Sequence, residues 1–199
     1  MVLHADEGKM PQAVDDLELI ARAQTGDRSA FGELAVRHYE DVTRVVYRMC
    51  GDAQIAEDAA QEAFMRAWVN LPGFQPRAPF RSWLYRIAVN AALDALRRKP
   101  AEDLEDSEES LMLADLNLSP EAAYLEKEQA HLVQSAVMAL PEASRAVLVL
   151  REYGGLAYDE IASALDIPAG TVMSRLNYAR SLLRERLLEY HLETERSYA

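Results

Sequence analysis

The run Tyr158-Asp159-Glu160-Ile161-Ala162-Ser163-Ala164-Leu165-Asp166-Ile167-Pro168-Ala169-Gly170-Thr171-Val172-Met173-Ser174-Arg175-Leu176, continuing to Tyr178-Ala179-Arg180-Ser181-Leu182-Leu183-Arg184, reads as two helices joined by a tight turn. Ile161, Ala162 and Leu165 recur at helical spacing, Asp166 to Ala169 break the period, and Val172, Leu176, Ala179 and Leu183 restart it. This is a helix-turn-helix. Its second helix keeps Val172 and Leu176 for a core and leaves Thr171, Ser174, Arg175, Tyr178 and Arg180 on other faces. Hydroxyls and guanidinium groups are thereby free for base edges and phosphates, so the expected partner is duplex DNA.

The 199-residue chain is long enough for one large or two small domains. It has no run of about 20 apolar residues, and Met1 to Pro11 carries acids without an apolar stretch, so membrane insertion and secretion are not expected and a cytoplasmic protein is. Cys50 is the only cysteine, and His4, His38, His131 and His191 are scattered without metal-ligand spacing. Neither a metal nor another cofactor is expected. Ala, Leu, Glu and Arg fill long periodic segments while Gly and Pro sit at their ends, which predicts an all-α protein.

A net charge of −12 argues at first against a nucleic-acid partner, but the charge is unevenly placed. Residues 101–119 hold seven acids and no base. Residues 74–99 carry Arg77, Arg81, Arg86, Arg97, Arg98 and Lys99 against Asp94 alone, and residues 170–186 carry Arg175, Arg180, Arg184 and Arg186 against Glu185. Coulomb attraction acts through local potential within a Debye length of roughly 8–10 Å, so two basic patches on an acidic chain are what discrete DNA footprints require.

Boundary signals divide the chain into a tail (1–14), a helical domain (15–100), an acidic linker (101–119), a second helical domain (120–190) and a tail (191–199). In the first domain Asp15 or Asp16 caps a short helix through Ala23, stopped by Gly26. Asp27 caps a longer one stopped by Gly51, a third runs from about Ala53 to Leu71, and a fourth from about Pro79 to Arg98. The linker composition favours a solvated, extended segment. Ser119-Pro120 starts a helix to Leu140, Pro141 opens the next through Glu152, and Gly154-Gly155 lead into the helix-turn-helix. Ala157 stands where Ser or Thr would usually cap the motif's first helix, so a side-chain cap worth about 1 kcal/mol is missing there.

These segments together resemble a family. Asp58-Ala59-Ala60-Gln61-Glu62-Ala63-Phe64, then Phe80-Arg81-Ser82-Trp83-Leu84-Tyr85-Arg86-Ile87-Ala88-Val89-Asn90 with Asp94 and Arg97-Arg98, then Leu140-Pro141, then Ile167 to Leu176, are similar in order and spacing to an extracytoplasmic function (ECF) sigma factor of the sigma-70 family. The resemblance spans roughly residues 15–190. It implies an RNA polymerase specificity subunit with only the second and fourth sigma regions. It also implies core RNA polymerase and promoter DNA as partners, and an anti-sigma factor as a common further one.

The fourth helix agrees physically with that role. Phe80, Leu84, Ile87, Ala91 and Ala95 form a core stripe, while Arg77, Arg81, Tyr85, Arg86, Asn90, Arg97 and Arg98 form a cationic, partly aromatic flank. Phosphates pair with Arg, and an unstacked base gains about 1–3 kcal/mol on an aromatic face. By resemblance these residues melt and hold the −10 promoter element, whereas Thr171, Ser174, Arg175, Asn177, Tyr178 and Arg180 read the −35 element. Trp83 and Tyr85 can also be read as core residues. Asp58, Gln61 and Glu62 share one face of the third helix; by themselves they read as a solvated acidic face, and by resemblance they bind the clamp helices of the polymerase's largest subunit. The family usually carries basic residues where Met173 and Tyr178 stand, which predicts an altered upstream element unless both pack against neighbouring helices.

No Gly-rich phosphate loop, HExxH motif, paired-carboxylate site or Ser/His arrangement appears, so an enzyme is not expected. A nuclease or recombinase targeted by the helix-turn-helix would need such groups. The remaining alternative is a helix-turn-helix regulator that dimerises on a palindrome without acting as a sigma subunit. It leaves the cationic aromatic helix and the acidic linker unexplained.

Overall fold

The computed structural model describes residues 11–76, 78–98 and 120–197, with side chains placed for 16–76, 78–98 and 128–191. Arg77 and the acidic linker lie outside these. Among the described residues the regular structure is entirely helical: α1 (Pro11–Gln24), α2 (Arg28–Cys50), α3 (Ala53–Asn70), a 3-10 turn (Leu71–Gly73), α4 (Phe80–Arg98), α5 (Pro120–Met138), α6 (Glu142–Glu152), α7 (Tyr158–Leu165) and α8 (Ala169–Ser197).

Local chemistry sets the boundaries. Asp27 accepts from the N–H groups of Ser29 (2.9 Å) and Ala30 (3.1 Å), which caps α2, and the backbone donor of Ala30 together with the Arg22 guanidinium holds its carboxyl below the usual range. Gly51 ends α2 at φ +74, donating to the Tyr47 carbonyl at 2.8 Å; Asp52 then caps α3 by accepting from the Ile55 N–H at 2.9 Å. In α3 the buried face is Ala56, Ala59, Ala60, Ala63 and Ala67, side chains small enough to bring α2 and α4 close. The loop before α4 is pinned at both ends. The Gln24 side chain donates to the carbonyls of Leu71 (3.0 Å) and Phe74 (2.8 Å), and the rings of Phe74, Phe80 and Trp83 lie 5.0–5.7 Å apart.

Three boundaries differ from the expected ones. α1 already begins at Pro11, and α5 ends at Met138, where Leu140 N–H turns back to the Val137 carbonyl. α8 continues through Ser197 rather than ending near residue 190, because residues 181–197 contain neither Gly nor Pro and are rich in strong helix formers.

The two halves expected from the sequence do not stand apart in this structure. The α2–α4 core and the α5–α8 core merge into one buried cluster, from Leu34 and Val46 through Val137, Leu140 and Leu150 to Leu176.

Candidate nucleic-acid and polymerase interfaces

The helix-turn-helix forms as expected, with its turn made by backbone rather than by glycine. Asp166 takes the left-handed conformation (φ 53, ψ 50), and the N–H of Ile167 reaches back to the Ala162 carbonyl at 3.0 Å. Ala157 supplies no side-chain cap. The Glu160 carboxylate accepts from the Ala157 N–H at 2.7 Å instead, which ties down one orphan donor of α7. Val172, Leu176 and Ala179 are fully buried and fix the roll of α8.

That roll leaves Ser174, Asn177, Tyr178 and Arg180 exposed, with Thr171 and Arg175 half-buried beside them. Ser174 Oγ donates to the Thr171 carbonyl at 3.1 Å. Arg180 is held by Glu152 at 2.7 Å, whereas no ion pair engages Arg175 among the described residues. Met173 and Tyr178 are 50% and 53% exposed, so neither packs into a neighbouring helix.

On α4 the expected flank divides in two. Arg86, Asn90 and Arg97 share one exposed stripe, with Arg98 beside it donating to the Asp94 carbonyl at 3.2 Å. Arg97 lies 3.6 Å from Glu142 of α6. Arg81 is half-buried, and Tyr85 is buried at 1% exposure, its phenol pushed up to about 12 chiefly by that burial. Trp83 is half-buried in the aromatic cluster with Phe74 and Phe80.

On α3, Asp58 and Gln61 are exposed and Glu62 is partly covered. Glu62 pairs with Arg66 at 2.8 Å, and Arg66 also reaches Asp94 at 2.8 Å, which holds the Asp94 carboxyl below its ordinary range. Continuing this stripe along the helix, Met65 and Val69 are 59% and 73% exposed. α2 presents Val36 (80%) and Tyr39 (40%), the latter stacked on Phe64 of α3 at 6.0 Å. Sequence reading missed these four apolar residues. Their signal was available: 36 and 39, like 65 and 69, are a helical turn apart and off the core stripes of their helices. Among the described residues, no group of three or more His, Cys, Asp or Glu side chains is assembled for a metal ion.

Residues 34–101 match the family model of sigma-70 region 2, and residues 130–183 that of sigma-70 region 4. The RNA polymerase sigma-H factor of Pseudomonas aeruginosa is 40% identical over 181 residues, covering 86% of this chain and 93% of the relative. This chain is an ECF sigma factor of the sigma-70 family. The ECF RNA polymerase sigma-E factor of Escherichia coli is 36% identical over 187 residues, 89% of this chain and 97% of that one. Among solved structures, CnrH in complex with the cytosolic domain of CnrY superposes with a TM-score of 0.67 at 29% identity, covering 88% of this chain and 98% of that one. As a sigma factor, the chain binds core RNA polymerase, recognises promoter DNA and directs transcription initiation. No helix among the described residues is long and apolar enough to cross a membrane.

Proposed function

We propose that this sigma factor divides its work among three helical faces: α3 docks on the clamp helices of core polymerase, α4 holds the separated −10 strand, and α8 reads the −35 element. The observation that carries the reading is the outer face of α3. Asp58, Gln61, Glu62, Met65 and Val69 form one stripe opposite the buried alanines, acidic and amidic at one end and apolar at the other. A solvated face has no use for two large exposed apolar side chains, whereas a partner helix carrying basic and apolar residues would cover both ends. Initiation in this scheme needs no catalytic group of the sigma factor's own, since strand separation draws on binding energy. Its place of action is the cytoplasm, with the polymerase.

Replacing Asp58, Gln61 and Glu62 together by Ala is expected to weaken binding to core polymerase roughly a hundredfold, at about 1 kcal/mol per lost polar contact. Helical content and melting temperature should hold, because all three lie off the core. Unaltered co-purification with core polymerase would reject the docking surface.

At the upstream element the exposed Tyr178 and Met173 replace cations, so fewer bidentate guanine contacts are available. The holoenzyme carrying Tyr178→Arg is expected to prefer guanine at one position where the wild type does not, by about 1–3 kcal/mol of discrimination. Selection from a randomised promoter library reads this out. Identical preferences in both proteins would show that Tyr178 does not read sequence.

By analogy with CnrH, which is solved in complex with the cytosolic domain of CnrY, an anti-sigma partner is proposed for this chain as well.

A further inference from the structure

The cationic stripe of α4 has an acid in its middle. Arg86, Asn90, Asp94 and Arg97 follow one another at helical spacing, so Asp94 lies one turn from Asn90 on one side and from Arg97 and Arg98 on the other. A carboxylate there repels strand phosphates, and it also competes for the arginines that would hold them, because an acid followed three or four residues later by Arg is a favourable helical pair. Protonation offers no relief. The Asp94 carboxyl is held below its ordinary range, chiefly by the Arg66 guanidinium, and stays ionised at neutral pH. Relief comes from α3 instead. Arg66 crosses from that helix, its Nη1 donating to Asp94 Oδ2 at 2.8 Å and its Nε to Glu62 Oε1 at 2.8 Å. Arg98 donates to the Asp94 backbone carbonyl at 3.2 Å, and Arg97 reaches toward Glu142 at 3.6 Å.

The Arg66 and Asp94 side chains keep 32% and 42% of their surface exposed, and ion pairs that open to water add little to stability, so the bridge is better explained by what it does to the charge of the stripe. We propose that Arg66 masks Asp94, keeping the middle of the strand-holding stripe neutral and leaving Arg86, Arg97 and Arg98 to the phosphates of the separated −10 strand. Arg66 is thus a positioning residue for strand capture, acting through Asp94 rather than on the nucleic acid. This rests on the reading of α4 as the strand-holding helix. A bridge that merely fastened α4 to α3 would be broken equally by removing either partner, whereas a mask is needed only while the acid is present. The two roles therefore separate when Asp94 loses its charge.

The test is a double-mutant cycle on Arg66→Ala and Asp94→Asn in the full chain, each variant assembled with core polymerase and purified as holoenzyme. Fluorescence anisotropy reads binding of a single-stranded oligonucleotide that carries the −10 element of a promoter selected by the wild type. Arg66→Ala is expected to weaken that binding about three- to tenfold at physiological salt, since one uncompensated charge then faces the phosphates at partly screened range. The slope of log affinity on log salt should become shallower by about 0.7, the loss of one neutralised phosphate. Asp94→Asn alone should bind at least as tightly as the wild type, and adding it to Arg66→Ala should restore both affinity and slope. Arg66→Gln, neutral but of similar reach, should behave like Arg66→Ala and keeps the cycle readable where truncation unfolds the domain. Equal binding by wild type and Arg66→Ala or Arg66→Gln overturns the proposal, as does an Asp94→Asn variant that binds as weakly as they do or fails to rescue them. Arg86→Ala with Arg97→Ala is the control on the underlying reading. If that pair leaves strand binding unchanged, α4 is not the strand-holding helix and the mask falls with it; if the pair weakens binding and loss of Arg66 does not, the mask alone is overturned.

Discussion

Replacing Arg145 by Ala is expected to destabilise the whole chain by about 3 kcal/mol or more, far beyond an ordinary surface arginine. Arg145 is 7% exposed within the apolar run of α6. Its Nη1 donates to the Met49 carbonyl at 2.9 Å, and its Nη2 to the carbonyls of Met138 (2.7 Å) and Leu140 (3.1 Å). Met49 lies in the last turn of α2 and Met138 ends α5, so one guanidinium serves carbonyls that lack intrahelical partners in both halves of the molecule. The negative ends of two helix dipoles converge on the same cation. Burial lowers its pKa, against the pull of nearby Glu142, yet an arginine begins so far above neutrality that it stays charged. Truncation strands three carbonyl acceptors at once, two of them in buried hydrogen bonds and one in a part-buried bond. Arg145→Lys retains the charge but not the planar fork, and should lie between Ala and wild type. Urea unfolding followed by circular dichroism reads the difference, and an unshifted midpoint for Arg145→Ala would show that water replaces the guanidinium at no cost.

Gly154→Ala, a single added methyl, is expected to cost about 2 kcal/mol. Its Cβ would stand 2.7 Å from the Leu150 carbonyl oxygen and 3.1 Å from Tyr85 Cε2. The carbonyl is helix backbone, and the N–H of Leu156 donates to it at 3.1 Å, so it cannot withdraw without breaking the turn that launches the helix-turn-helix. Gly32→Ala is the matched control. Gly32 sits within α2 with nothing within 4 Å of its added Cβ, and the substitution should stabilise by up to about 1 kcal/mol. Thermal melts of the two variants should therefore move in opposite directions. A common direction would mean that the Gly154 turn yields more easily than its contacts suggest.

Caps and stops were readable from the residues themselves: Asp27 and Gly51 act within a few positions of where they stand, and each makes the expected hydrogen bond. The face of α8 was readable for a similar reason, since Val172, Leu176 and Ala179 repeat at the helical period and are buried. What lay beyond the sequence is contact between the halves. Periodicity places Tyr85 on a flank of α4 distinct from the core stripe, but it carries no information about a second domain arriving from 70 residues downstream to cover that flank. Arg145 was illegible for a related reason. A charge in a run such as Ala146-Val147-Leu148-Val149-Leu150 reads as a residue turned to water, and only the meeting of two helix ends gives it carbonyls to serve. Met65 and Val69 are compatible with core by type alone, but their spacing off the alanine stripe was a legible signal that their exposure bears out.

The alanine side of α3 has an evolutionary consequence. Ala56, Ala59, Ala60, Ala63 and Ala67 bring the helix close to its neighbours, and Phe64 and Trp68 pack against the core beside them. Folding is therefore specified on one side of the helix and the display of Asp58, Gln61, Met65 and Val69 on the other. Substitutions on the displayed side can drift or be selected with little penalty to the scaffold, whereas any enlargement on the alanine side would force helices apart. A lineage of such proteins could thus diverge in what it docks with while keeping the same three-helix frame, and an engineer could graft a foreign docking surface onto this helix by changing its outward residues alone.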